Sequence, residues 1–173
     1  EKIHGISTLL AEKEGINIDD ILNEFNDSIS KSKFIIGHNV NFDLSVIGCE
    51  FYRRDLASNI ELTDVLDTCT ESTAELCKLP GGRGGKFKLP TLTELHEFLF
   101  ASPFQDAHNA SADVEATARC FLELIRIKNF KKDQLQVQDD YFEKFSQNNP
   151  EKIEKAGIKH VNLKKKSEDL KNK

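Results

Sequence analysis

Apolar residues recur at helical spacing along much of the chain, and between those stretches they gather into short unbroken runs. Ser7 to Lys13 reads as a short helix capped by Ser7 or Thr8 and ended by Gly15. Ile18, Ile21, Leu22, Phe25 and Ile29 set out a second helix over about 18–31. Phe34-Ile35-Ile36-Gly37 is a short continuous run, as in a buried parallel strand. Leu44, Val46, Ile47, Phe51 and Tyr52 give a helix over about 41–54, and Val65 to Cys69 is a candidate second strand, with a helix near 71–78 behind it. Gly81-Gly82-Arg83-Gly84-Gly85 interrupts every pattern and predicts a flexible loop. Thr91 and Glu94 then spell a capping box, and the helix behind them carries Leu92, Leu95, Phe98 and Leu99. A longer helix starts near Ser111 and runs to about 128, with Val114, Ala118, Phe121, Leu122 and Ile125 on its apolar face and Glu115 placed to pair with Arg119. Beyond about 130 the apolar residues thin out; Phe142 and Phe145 can anchor one more short helix, and residues 160–173 read as disordered. Helices alternating with short apolar strands predict an α/β domain.

Composition narrows the class. The chain has 173 residues, 38% hydrophobic and 31% charged, enough for one core of ordinary size and a tail. No apolar run approaches the ~18–20 residues of a membrane span, and the start does not resemble a signal peptide. The chain contains no Met and reads as a piece of something longer. Cys49, Cys69, Cys77 and Cys120 form no C-x-x-C pair and fit no zinc spacing, so they read as reduced, mostly buried thiols of a cytoplasmic protein. The net charge of −5 argues against a general nucleic-acid clamp. It is uneven: residues 131–173 carry 11 Lys against 8 Asp or Glu. The acidic remainder suits a site that holds divalent cations and equally suits a solvated surface.

Two short segments carry candidate chemistry. His38-Asn39-Val40-Asn41-Phe42-Asp43 follows the first strand at once and opens a helix. Ligands of parallel sheets bind at the carboxyl ends of strands, and a carboxylate in a first helical turn is kept ionised by the helix dipole. Asp43 is therefore either a cation ligand or merely a stabilised helix start. Ala107-His108-Asn109-Ala110-Ser111-Ala112-Asp113 reads H-x-A-x-x-D at the entry to the long helix. His108 there can serve as a general base beside a ligand carboxylate, Asp113; taken alone, a capping or packing histidine is the simpler reading.

Together and in this order, the two segments resemble the second and third motifs of the DEDDh, or DnaQ-like, family of 3′→5′ exonucleases. Ile3-His4-Gly5-Ile6-Ser7 is similar to the segment after that family's third strand, Leu66-Asp67-Thr68 to its later edge strand, and Leu89-Pro90-Thr91-Leu92 through Leu95 to the helix before its third motif. The resemblance covers residues 1–128, which it implies are the C-terminal portion of an exonuclease domain; 129–173 form a charged helical or disordered tail or linker. It runs closest to proofreading domains of bacterial DNA polymerase III type. It implies a ribonuclease-H-like mixed sheet flanked by helices, with Asp43, Asp113 and His108 catalytic and the two aspartates as metal ligands. Two ions, Mg²⁺ or Mn²⁺, would activate water and stabilise charge on the phosphate. Asn39, Phe42, Arg83 and Lys86 are carried as candidate substrate contacts, although the basic residues of the Gly-rich loop read equally well as solvated charges.

The family's first motif, Asp-x-Glu on the first strand, has no counterpart here. The resemblance thus implies that the N-terminal strands are missing from this chain and that the chain alone is inactive. The expected function is metal-dependent removal of nucleotides from single-stranded or frayed DNA 3′ ends in replication proofreading, beside a DNA polymerase III subunit or domain. An RNA-trimming enzyme of the same family and a non-catalytic polymerase-docking module are the alternatives.

Overall fold

The computed structural model describes residues 6–104 and 109–158. Ile3 to Gly5, His108 and the Lys-rich end beyond 158 lie outside the described residues. In chain order the elements are α1 (Thr8–Glu14), α2 (Ile18–Ser30), β1 (Phe34–Gly37), α3 (Val40–Arg53), β2 (Asp64–Asp67), α4 (Glu71–Cys77), α5 (Leu92–Phe100), α6 (Ala110–Arg126), α7 (Lys132–Leu135) and α8 (Tyr141–Asn148). Two 3-10 turns, Ile60–Leu62 and Arg83–Gly85, interrupt the connections. The strands β1 and β2 pair in a two-stranded parallel sheet, and the α/β class read from the pattern holds. Among the described residues, no helix is long and apolar enough to cross a membrane.

Caps fix where the helices begin. Ser7 Oγ accepts the Leu10 N–H at 3.1 Å and starts α1. Asn17 Oδ1 accepts the Asp19 N–H at 2.8 Å and starts α2, whose first turn also holds Asp19 and Asp20 where the dipole favours them. Thr91 and Glu94 form the reciprocal capping box at the head of α5, as the T-x-x-E pattern predicts. Thr70 and Thr73 make an equivalent box for α4, which the sequence reading did not single out.

The described residues divide into two compact units, one from residues 6–35 and 41–65 and the other from 36–40 and 66–158. In the first, Leu22 and Ile29 are the buried positions of α2, seven residues apart on one face. Asn26 Oδ1 accepts the Asn59 N–H at 2.7 Å, and Arg54 pairs with Asp19 at 2.7 Å. In the second, α5 packs on α4 and α6, and α8 packs on α6. Leu95, Leu99, Ala116, Cys120, Leu124 and Ile125 form the apolar core there.

The segment after α6 is fastened to this second unit by polar bonds. Glu123 is only 1% exposed, and Arg126 binds its carboxylate through two nitrogens, at 2.8 and 2.5 Å. The Ile153 N–H adds a third bond at 3.2 Å. Burial alone would raise the Glu123 carboxyl, but these donors outweigh it and hold it below the ordinary value. Lys152 Nζ donates to the Leu99 carbonyl at 2.6 Å, satisfying one of the orphan acceptors at the end of α5.

The expected pair of Glu115 with Arg119 does not form among the described residues. Glu115 is exposed while Arg119 is half-buried beside His96, with its Nε unbonded. The four cysteines are free, as expected, but Cys49 is exposed and only Cys77 and Cys120 are fully buried.

Candidate active site

The turn Gly37-His38-Asn39-Val40 joins β1 to α3 and is held from several directions. Gly37 leaves no room for a side chain, since a Cβ there would lie 2.6 Å from that of Val40. Asn39 adopts a left-handed φ of 57°, which Asn tolerates better than most residues. The first backbone donors of α3 have no partner inside the helix. The Asp67 carboxylate, at the end of β2, supplies them: Oδ1 accepts the Asn39 N–H at 2.8 Å and Oδ2 accepts the Val40 N–H at 3.1 Å. The same Oδ1 takes the Cys69 N–H at 2.7 Å. Asp67 is in effect the N-cap of α3, delivered from a neighbouring strand.

His38 is bound on both ring nitrogens. Nε2 lies 2.9 Å from the Pro90 carbonyl, which can only accept, so Nε2 carries the proton. In the neutral ring Nδ1 is then an acceptor, and the Thr68 hydroxyl donates to it at 2.9 Å. That hydroxyl also lies 3.1 Å from the Gly37 carbonyl, which competes with Nδ1 for its single proton. Burial lowers the His38 pKa, against smaller opposing effects of the Pro90 carbonyl and the Asp67 charge. Both ring nitrogens are thus engaged in holding the turn.

The predicted site residues take these places. Asp43 lies exposed in the first turn of α3. Asn39 and Phe42 are both exposed, Phe42 at 68%, beside that helix start. Asp113 is half-buried in the first turn of α6, whose N-cap, Asn109, accepts the Ser111 N–H at 3.0 Å and the Ala112 N–H at 3.4 Å. His108, the proposed base, directly precedes that cap in sequence and lies outside the described residues. Arg83 is exposed and makes no ion pair among the described residues. Lys86 pairs with Glu71 at 2.5 Å, which raises the lysine and lowers the carboxylate from their ordinary values. Lys88 pairs with the capping-box Glu94 at 2.6 Å. A cavity of about 540 Å³ lies beneath this loop, lined by Glu71, Ala74, Gly82, Arg83 and Phe87.

Asp67 is the residue the sequence reading did not rank. Its only signal was its place at the end of a short apolar run, in Leu66-Asp67-Thr68. A second cavity, of about 370 Å³, is lined by His96, Phe104, Ala112, Glu115 and Arg119. His96, only 2% exposed, packs against the rings of Phe100 and Phe104 and donates from Nδ1 to the Ser102 carbonyl at 2.9 Å.

Asp43 and Asp113 have the oxygen chemistry that a hard divalent cation requires. Among the described residues, however, no three His, Cys, Asp or Glu side chains gather into a group that could hold an ion. The two aspartates do not by themselves amount to a metal centre.

No match was found among curated proteins or among solved structures. The family model of the RNase T type, described as Exonuclease, matches residues 1–121. Its members are nucleases, hydrolases that act on nucleic acid, with a ribonuclease-H-like fold and a general use of divalent metals. The α/β elements found here accord with that fold, with few strands. On a match spanning more than two-thirds of its length, the chain belongs to this exonuclease family.

Proposed function

We propose that this chain is part of a 3′→5′ exonuclease that removes nucleotides from DNA 3′ ends in replication proofreading. The observation that carries the reading is the repeated placement of an acidic residue in a first helical turn. Asp43 stands so in α3 behind His38-Asn39, and Asp113 so in α6 behind His108-Asn109, both within the stretch matched by the exonuclease model. Each place is the positive end of a helix dipole, where a negative charge is favourable. In this reading Asp43 and Asp113 are two of the carboxylates that serve the reaction, and His108 is the general base. Asn39 and Phe42, exposed beside the start of α3, contact the terminal nucleotides, and Arg83 and Lys86 contact the strand. The exonuclease domain ends near 128, and a DNA polymerase III subunit or domain is the partner.

The test is degradation of a 5′-labelled single-stranded DNA, a primer with a mismatched 3′ end and an RNA of the same sequence. The full-length protein is used, with Mg²⁺ or Mn²⁺. Stepwise shortening from the 3′ end, fastest on the mismatched primer, supports proofreading. Preference for RNA would turn the assignment to the RNA-trimming branch of the family. No shortening of any substrate would leave a docking module.

A further inference from the structure

The turn before α3 has no capping side chain of its own to receive the helix's first donors. Asn39 is in the left-handed region, and the acceptors come instead from a residue 28 positions further along the chain. One carboxylate holds three backbone N–H groups, two at the start of α3 and one just beyond β2. The division between its oxygens matters. Oδ1 serves Asn39 and Cys69, while Oδ2 serves Val40, the first residue of the helix that presents Asp43. Charge-assisted bonds of this kind are stronger and more directional than neutral ones. The helix dipole adds to their preference for an anion.

We propose that Asp67 is a positioning residue for the nuclease: capping α3 from β2, its carboxylate fixes the 38–40 turn and so sets where Asp43 enters the site. For its kinetic consequence this rests on the exonuclease reading; the geometric part stands without it. Asp67 touches no substrate and acts only through the backbone of Asn39 and Val40. A side-chain amide in its place can keep Oδ1 on Asn39 and Cys69, but it sets an NH₂ against the Val40 N–H, donor against donor. Asp67→Asn is therefore a selective lesion at the helix start, and Asp67→Ala removes all three bonds.

The experiment compares the full-length protein, Asp67→Asn, Asp67→Ala and Asn17→Ala, the last removing the unrelated cap of α2 as a control for lost stability. Amide hydrogen exchange is read at Val40 and Cys69, and kcat and KM are read on single-stranded DNA well below each melting temperature. In Asp67→Asn, exchange at Val40 should quicken about tenfold with Cys69 little changed, because only the Oδ2 bond is lost. The kcat should fall about 10–100-fold, the range seen when a partner that orients a reacting group is removed, with KM within about twofold. Asp67→Ala should lose protection at both amides, and Asn17→Ala should keep its kcat. Unaltered exchange at Val40 in Asp67→Asn overturns the capping role, whatever the nuclease assay shows. Faster exchange with an unaltered kcat, or an equal loss of kcat in Asn17→Ala, overturns the positioning role. A wild-type protein that degrades no nucleic acid removes the exonuclease reading and, with it, the catalytic half of this proposal, while the exchange data still decide the cap.

Discussion

The imidazole of His38 donates from Nε2 to the carbonyl of Pro90 at 2.9 Å, across 52 positions of sequence. The bond ties the turn before α3 to the residue that precedes the capping box of α5. Burial lowers the His38 pKa from its ordinary 6.5, and burial likewise lowers that of His96. Below that ordinary value the unfolded chain binds more protons than the folded one, so stability rises with pH there. Thermal unfolding should therefore show stability constant above about pH 7 and falling as the pH drops through 6.5 towards the folded-state values. His38→Gln should flatten part of that slope and His38→Gln with His96→Gln most of it. A slope unaffected by both changes would place the titrating group elsewhere.

Loss of the Thr91 hydroxyl should cost stability without touching chemistry. Thr91 Oγ1 accepts the Glu94 N–H at 3.2 Å, and Glu94 returns a bond to the Thr91 N–H at 2.8 Å. Thr91→Ala should lower the unfolding free energy by about 1 kcal/mol in denaturant titrations, the usual worth of an N-cap. Thr91→Ser should recover most of it.

The cysteines should separate by reactivity. Burial pushes the Cys120 thiol up to about 12 and raises those of Cys69 and Cys77 as well. The thiolate is the reactive form, and Cys49 is the exposed thiol of the four. An alkylating reagent at neutral pH should modify Cys49 first in the folded protein and the other three only after denaturant is added, as read by peptide mass spectrometry.

In the full-length protein, His108→Ala should lower turnover by about 10²–10⁴-fold, the range of general-base assistance. DNA binding and folding should be retained. His108→Gln should not restore the rate, because an amide can hydrogen-bond water but cannot take its proton. Near-normal turnover with either variant would make His108 structural. Asp113→Asn and Asp43→Asn should each abolish shortening of a labelled DNA, and retention of activity by either would remove that residue from the site.

Much of the local architecture was legible in the sequence because it is written in local signals. The T-x-x-E box, the Ser7 cap and the recurrence of Ile18, Leu22 and Ile29 act within a turn or two of the chain, so spacing alone places α1, α2 and α5. The first turns holding Asp43 and Asp113 were readable for the same reason. The Asp67 cap and the His38–Pro90 bond were not, because their partners meet only in the folded chain, Asp67 through the pairing of β1 with β2 and Pro90 through the loop that leads into α5. Arg119 shows the opposite failure. The i, i+4 rule that joined it to Glu115 applies to a solvated helix face, and Arg119 lies half-buried beside His96 in a cavity that Glu115 also lines.

The lysines of the Gly-rich loop have a consequence for how the protein would respond to ionic strength. Lys86 is held by Glu71 and Lys88 by Glu94, so a phosphate reaching either lysine would displace a carboxylate already in place and release few bound counterions. Arg83 is the cation of this loop without such a partner among the described residues. On a single strand each neutralised phosphate contributes a slope of about −0.7 to log affinity against log salt. The loop would thus add about one phosphate's share to that slope, where a count of its basic residues suggests three.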